Sequence, residues 1–179
     1  DLVVTFPEST VPAEIVMNEG AKRTVYTLGE NLIKNGSFEY PNPVYGWTNG
    51  TGSVNAMSTS NFNVPTEGAA DGNQYLQATT NAGAADAHSI NTIWPIEPGK
   101  TYVFGYKMKA NEASGGNQFI GSSLNTSKGQ ENTNAKFAYP AYGTEWTDVQ
   151  YVFESGEYTW LVFNASWLSV AQRFDNFYL

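Results

Sequence analysis

The chain has 179 residues, 41% of them hydrophobic and 15% aromatic, and a formal net charge of −8. That length holds one domain with or without an appendage, and the composition is too apolar for long disorder. The charge excludes a nucleic-acid backbone as partner and disfavours an acidic membrane, since both demand clustered Lys and Arg. The absence of cysteine excludes disulfides, thiol nucleophiles and zinc–thiolate centres.

Residues 1–30 read as an extension. Leu2–Phe6 is strand-like, and Pro7 and Pro12 interrupt it. Ile15–Met17 and Thr24–Leu28 are each strand-like, with Asn18-Glu19-Gly20 turning between them. The segment fits a linker, the tail of a preceding domain, or extra strands on a sheet edge. Its Val, Ile, Tyr and Thr content favours the strands.

Asn31–Glu39, reading NLIKNGSFE, joins an apolar pair to an Asn-Gly turn, an aromatic and a carboxylate. Asn-Gly supplies the positive φ of a tight turn. Phe38 is then expected to enter a core and Glu39 to face away, either solvated or as a ligand for a hard cation. Tyr40-Pro41-Asn42-Pro43 is a loop, because proline cannot donate to a ladder. Trp47 is expected to plug the core. Residues 48–73 read as long loops with one short strand around Val54–Met57.

Gln74–Thr79 and Ala87–Trp94 read as strands. Thr101–Ala110 carries the clearest alternation, with Tyr102, Phe104, Tyr106 and Met108 on one face and Val103, Gly105, Lys107 and Lys109 on the other. Gln118–Leu124 is a further strand. Trp146–Glu154 and Glu157–Ala165 form a hairpin around Ser155-Gly156, and Arg173–Leu179 closes the chain. Trp146 and Trp160 are expected in the core, the latter because it alternates with Tyr158 and Val162. No window has a helical face, and no apolar run approaches the ~18 residues of a membrane span. Many short strands between Gly, Asn and Pro turns predict an all-β sandwich.

Chemistry-bearing motifs are sparse. The only histidine is His88, which leaves no multi-histidine metal centre and no triad. No nucleophile elbow, P-loop or dinucleotide fingerprint is present. A glycosidase needs only two carboxylates, so a small glycoside hydrolase or lyase stays open beside the non-enzymatic readings. The many aromatics and loop asparagines suit sugars, whose C–H faces stack on rings and whose hydroxyls bond to amides.

The Asn31–Glu39 run is followed in order by Gly46-Trp47, Gly72-Asn73-Gln74-Tyr75-Leu76, Pro98-Gly99-Lys100-Thr101-Tyr102 with Lys109-Ala110, Thr144-Glu145-Trp146 and Phe174-Asp175-Asn176-Phe177-Tyr178-Leu179. This set, spanning residues 31–179, resembles the carbohydrate-binding modules of families 4, 9 and 22, which have a galactose-binding-like fold. The resemblance implies a jelly-roll β-sandwich of two antiparallel sheets. It also implies a non-catalytic module that binds a plant-type β-glycan such as xylan or β-glucan. Such a module would be attached to a polysaccharide-degrading enzyme or surface protein, secreted by or displayed on a bacterium. A structural calcium is implied between Glu39 and Asp175, with a main-chain contribution from Lys100. The aromatic that xylan-binding relatives place in a loop before the Pro-Gly motif is replaced here by Ala84-Ala85-Asp86. Trp167, Tyr139 and Tyr142 are the candidate platforms in its stead, with His88, Asn91 and Gln118 as polar partners. A spacer β-sandwich that binds no sugar is the alternative from another class.

Overall fold

The computed structural model describes residues 4–47, 62–78, 88–110, 119–127, 135–141, 143–166 and 168–179, with backbone alone at 88, 89, 91, 119, 135 and 166. Eleven strands are present among them: β1 (Glu14–Glu19), β2 (Lys22–Thr27), β3 (Phe62–Asn63), β4 (Leu76–Ala78), β5 (His88–Pro95), β6 (Thr101–Ala110), β7 (Phe119–Asn125), β8 (Ala135–Lys136), β9 (Thr147–Glu154), β10 (Trp160–Ser166) and β11 (Gln172–Tyr178). Two antiparallel sheets, ordered β3-β4-β11-β6-β9 and β5-β10-β7-β8, pack face to face. This is the expected β-sandwich.

The alternation on β6 sets the core. Phe104, Tyr106 and Met108 are buried between the sheets, against Leu161, Phe163 and Ala165 of β10 and Ile90 and Trp94 of β5. Phe177 sits at the centre, fully buried among Trp47, Trp94, Tyr106 and Phe163 with ring centroids 4.9–6.2 Å apart. Edge-to-face and offset pairs of this kind favour one core arrangement beyond simple burial. Trp47 plugs the core as expected, and its Nε1 donates to the carbonyl of Asn35 (3.1 Å).

The first thirty residues depart from the edge-strand expectation. Among the described residues β1 and β2 pair only with each other. The hairpin lies on the outer face of the five-stranded sheet, where Ile15 packs with Val103 and Tyr178. Apolar residues on the outer side of β6 and β11 give the hairpin a surface to bury; no ladder is needed. Val4–Phe6 has no regular secondary structure. Farther along, Ser9 Oγ donates to the carbonyl of Phe177 (2.7 Å), and Thr10 and Asn176 exchange two hydrogen bonds (2.7 and 2.8 Å). The strap formed by residues 4–13 is thereby tied to the last strand.

The Asn31–Glu39 run lies along β11 without becoming a strand. Its bonds to that strand include Leu32 N–H to the carbonyl of Leu179 and Phe177 N–H to that of Gly36 (both 3.0 Å). The positive φ of the turn is on Asn35 (53°), not on Gly36. Gly36 serves a different need, since a Cβ there would lie 2.1 Å from the carbonyl oxygen of Phe177. Close backbone approach makes this position a glycine.

Candidate functional site

The outer face of the four-stranded sheet is built from the strand positions that alternate with the core. Along β10 the core takes Leu161, Phe163 and Ala165, so Trp160, Val162 and Asn164 fall on the other side. Register aligns Asn91, Asn164 and Gly121 across β5, β10 and β7 in one row, and Ile93, Val162 and Ser123 in the next. Ile93 and Val162 are buried although they face away from the core.

Tyr139 reaches this face from the connection after β8. That connection is fixed by Phe137 N–H donating to the carbonyl of Ser122 (2.9 Å) and Tyr151 Oη donating to that of Ala138 (2.8 Å). Phe137 is also wedged against Tyr151 and Phe153, with centroids 4.9 and 5.1 Å away. Tyr139 itself remains 56% exposed. A Cβ added to Gly121 would lie 3.4 Å from both the Tyr139 ring edge and Asn164 Oδ1. The glycine therefore leaves a floor over which an aromatic ring and an amide converge. A ring edge beside an amide at a sheet surface is suited to one sugar unit, stacked on carbon and hydrogen-bonded through hydroxyls.

The other candidates separate as follows. His88 and Asn91 lie on β5 by backbone position, with Asn91 in the Asn164–Gly121 row. Trp167, Tyr142 and Gln118 fall outside the described residues. Trp160 does not lie in the core as expected. It is half-buried on the outer face, four residues along β10 from Asn164, a strand distance of about 13 Å. Trp146 also differs from expectation: it is half-buried, donating from Nε1 to the carbonyl of Gly68 (3.0 Å) and meeting Tyr75 edge-on.

Glu39 and Asp175 are brought to one segment, Ala70–Gln74. Glu39 Oε1 accepts the N–H groups of Asn73 and Gln74 (both 2.6 Å). Asp175 Oδ2 accepts those of Ala70 and Asp71 (2.8 and 2.9 Å), and its Oδ1 accepts that of Asn176 (2.7 Å). Asp175 is fully buried, and burial pushes its carboxyl up to about 7 against the pull of those three donors. Two carboxylates held against one segment, one of them buried, are of the oxygen-donor type that calcium takes. Among the described residues no group of three or more acidic, histidine or cysteine side chains could hold a metal, so the remaining oxygens would be main-chain carbonyls or water.

Lys100 does not join this pair. Asp175 is registered with Lys107, and Lys100 lies seven residues away along β6, about 23 Å in strand length. Its N–H and carbonyl are bound instead by Ser155 Oγ and Ser155 N–H (both 2.8 Å). The Pro-Gly-Lys corner is an end-of-strand turn on the far side of the molecule.

Asn35 is a residue whose role the sequence did not disclose. Fully buried, it donates from Nδ2 to the carbonyls of Pro43 (3.0 Å) and Tyr45 (3.3 Å) and accepts from Tyr40 N–H on Oδ1 (3.1 Å). It holds the Tyr40–Tyr45 loop against the turn.

The fold is a two-sheet antiparallel β-sandwich in which an aromatic and an amide meet over a glycine on the outer face of one sheet. The family model described as "Carbohydrate binding domain" matches residues 30–165, and the chain belongs to that family. Among solved structures, the chain is similar to "Family 16 Carbohydrate Binding Module-2" (TM-score 0.55, 17% identity, 82% of this chain and 97% of that one). It is also similar to an arabinose-bound MgGH51 α-L-arabinofuranosidase (TM-score 0.55, 14% identity, 83% of this chain and 26% of that one). A third is the CBM22-1 xylan-binding domain of Xyn10C from Paenibacillus barcinonensis (TM-score 0.49, 17% identity, 79% and 88%). No curated protein matches the chain.

Proposed function

We propose that this chain is a non-catalytic module that holds a neutral plant-type β-glycan, such as xylan or β-glucan, on the outer face of the β5-β10-β7-β8 sheet. The observation that carries this reading is the convergence of Tyr139 and Asn164 over Gly121. Trp160 lies on the same face two rows farther along, beyond the buried Ile93–Val162–Ser123 row. Exposed Tyr139 stacks on the sugar, and Asn164 bonds to its hydroxyls. Attachment to a glycan-degrading enzyme in a bacterial extracellular setting fits this role, because tethering raises the enzyme's local concentration on its substrate. Likeness to about a quarter of an arabinofuranosidase chain supports such an arrangement.

Glu39 and Asp175 would hold a structural calcium, which supplies positive charge beside the buried carboxylate. In that role the two side chains tie the Asn31–Glu39 run, the Ala70–Gln74 segment and β11 together. The deciding experiment is affinity electrophoresis in gels containing xylan, mixed-linkage β-glucan, glucomannan or pectin. Retardation in one of the neutral gels, lost in Tyr139→Ala, is expected. Unretarded migration of the wild type in every gel would replace this reading with that of a spacer sandwich.

A further inference from the structure

A second cleft, of about 960 Å³, lies between the N-terminal strap and the Tyr40–Tyr45 loop. Its strap side precedes the residues that the family model covers. Its floor is aromatic. Tyr40 and Tyr45 lie nearly parallel, at 21° with centroids 5.6 Å apart, and Phe6 packs on Tyr40 at 5.1 Å. Tyr45 is 55% exposed. A stacked pair of this kind backs Tyr45 with a second ring and leaves its outer side to solvent, unlike a cage that surrounds a cation.

The platform is held before any ligand arrives. Glu8 receives the Tyr40 hydroxyl on Oε1 and the Asn35 N–H on Oε2 (3.1 Å). The bond to Glu8 is the main reason that the Tyr40 hydroxyl is pushed up to about 12. Asn35 holds the carbonyl of Tyr45 from beneath. With its carboxylate, hydroxyl and amide tied down, the floor offers its ring faces at little ordering cost. Exposed Glu30, Lys34 and Asn42 stand at the rim and supply hydrogen-bond acceptors and donors. Two carboxylates against one ammonium disfavour an anionic ligand.

We infer that this cleft is a second glycan subsite, in which Tyr45, backed by Tyr40, stacks a neutral sugar unit. The ligand class rests on the function proposed above, whereas the site shares no residue with the Tyr139 face. Calorimetry with neutral xylo-, cello- and manno-oligosaccharides tests it on the full chain, using wild type, Tyr45→Ala, Tyr45→Phe and Tyr139→Ala. The expected result is two oligosaccharides bound per chain. Tyr45→Ala should weaken one of the two by about fivefold or more, with Tyr45→Phe close to wild type. Exposure of Tyr45 lets the alanine variant fold, which an unchanged melting curve verifies. Wild-type binding in Tyr45→Ala overturns the second subsite, and loss in Tyr139→Ala alone then leaves the sheet face standing. Loss in Tyr45→Ala alone supports this cleft and removes the sheet face. A wild type that binds no oligosaccharide overturns both.

Discussion

Replacing Gly36 by alanine tests whether the Asn-Gly turn is built around close approach to the last strand. The new Cβ would meet the carbonyl oxygen of Phe177 at 2.1 Å and Ser9 Oγ at 2.5 Å. Relief requires the two main chains to part by about 1 Å, since carbon and oxygen in contact need ~3 Å or more. That movement breaks the Phe177 N–H bond to Gly36 (3.0 Å) and the Ser9 bond to Phe177 (2.7 Å). Two hydrogen bonds at about 1 kcal/mol each, with about 1–3 kcal/mol of overpacking, give a loss of roughly 3–5 kcal/mol. For a chain of this size the melting midpoint falls by roughly 6–20 °C. Gly20→Ala is the matched control. Its φ of +61° is strained for alanine, but nothing lies within 4 Å, so about 1–2 kcal/mol is expected. Urea unfolding followed by tryptophan fluorescence measures both. A Gly36 variant within about 1 kcal/mol of wild type, or no worse than the Gly20 variant, would refute the close-approach explanation.

Four further outcomes are expected. Tyr139→Ala should abolish retardation in glycan gels while changing stability by less than about 0.5 kcal/mol, because the ring is mostly exposed; a large stability loss would show a packing role. Excess chelator should lower the melting midpoint if Glu39 and Asp175 hold calcium, and calcium should restore it; coincident curves after prolonged dialysis against chelator would remove the metal. In metal-free protein, the raised Asp175 carboxyl makes stability greatest below the ordinary value of 3.8 and progressively lost as pH rises through about 7. The span is at most about 4 kcal/mol. Calcium favours the ionised carboxylate and should flatten or reverse that slope, so a metal-free midpoint that rises from pH 5 to pH 8 would contradict the assignment. Asn35→Ala should cost about 2–4 kcal/mol by orphaning the carbonyls of Pro43 and Tyr45 and the N–H of Tyr40; a near-neutral change would show that the loop holds itself.

The legible parts of this chain are those where one face is much more apolar than the other. On β6 the alternation of Phe104, Tyr106 and Met108 with Gly105 and Lys107 assigns the core side without ambiguity, and the structure follows it. The same rule misplaces Trp160 for an identifiable reason. β10 begins at Trp160, so Tyr158 belongs to the preceding turn and its parity does not carry into the strand. Both faces of β10 are apolar, with Phe163 inside and Val162 outside, so period alone could not choose between them. The hairpin's location was hidden because its partners, Val103 and Tyr178, are distant in sequence. Lys100 was misplaced because local motif order does not reveal which end of a ten-residue strand faces Asp175.

The two candidate ligand surfaces also differ in how they could be read. Tyr139 stands out because a tyrosine beside Pro140 in a loop has no strand parity to bury it, and its exposure follows from that. Tyr45 carries the same local signal, in Pro43-Val44-Tyr45, yet its meaning depends on contacts made 32 residues apart in sequence by Glu8 with Tyr40. A flexible loop tyrosine pays ordering entropy when it stacks on a ligand. Asn35 holds the main chain at Tyr45, Glu8 holds Tyr40, and Tyr40 stacks on the Tyr45 ring, so that the strap, the turn and the loop form one unit and less of that freedom remains to be lost. The cleft therefore depends on the buried Asn35 amide, which lines no part of it, together with the exposed Glu8 carboxylate at its wall, and substitution at Asn35 should disable the Tyr45 cleft while leaving the Tyr139 face intact.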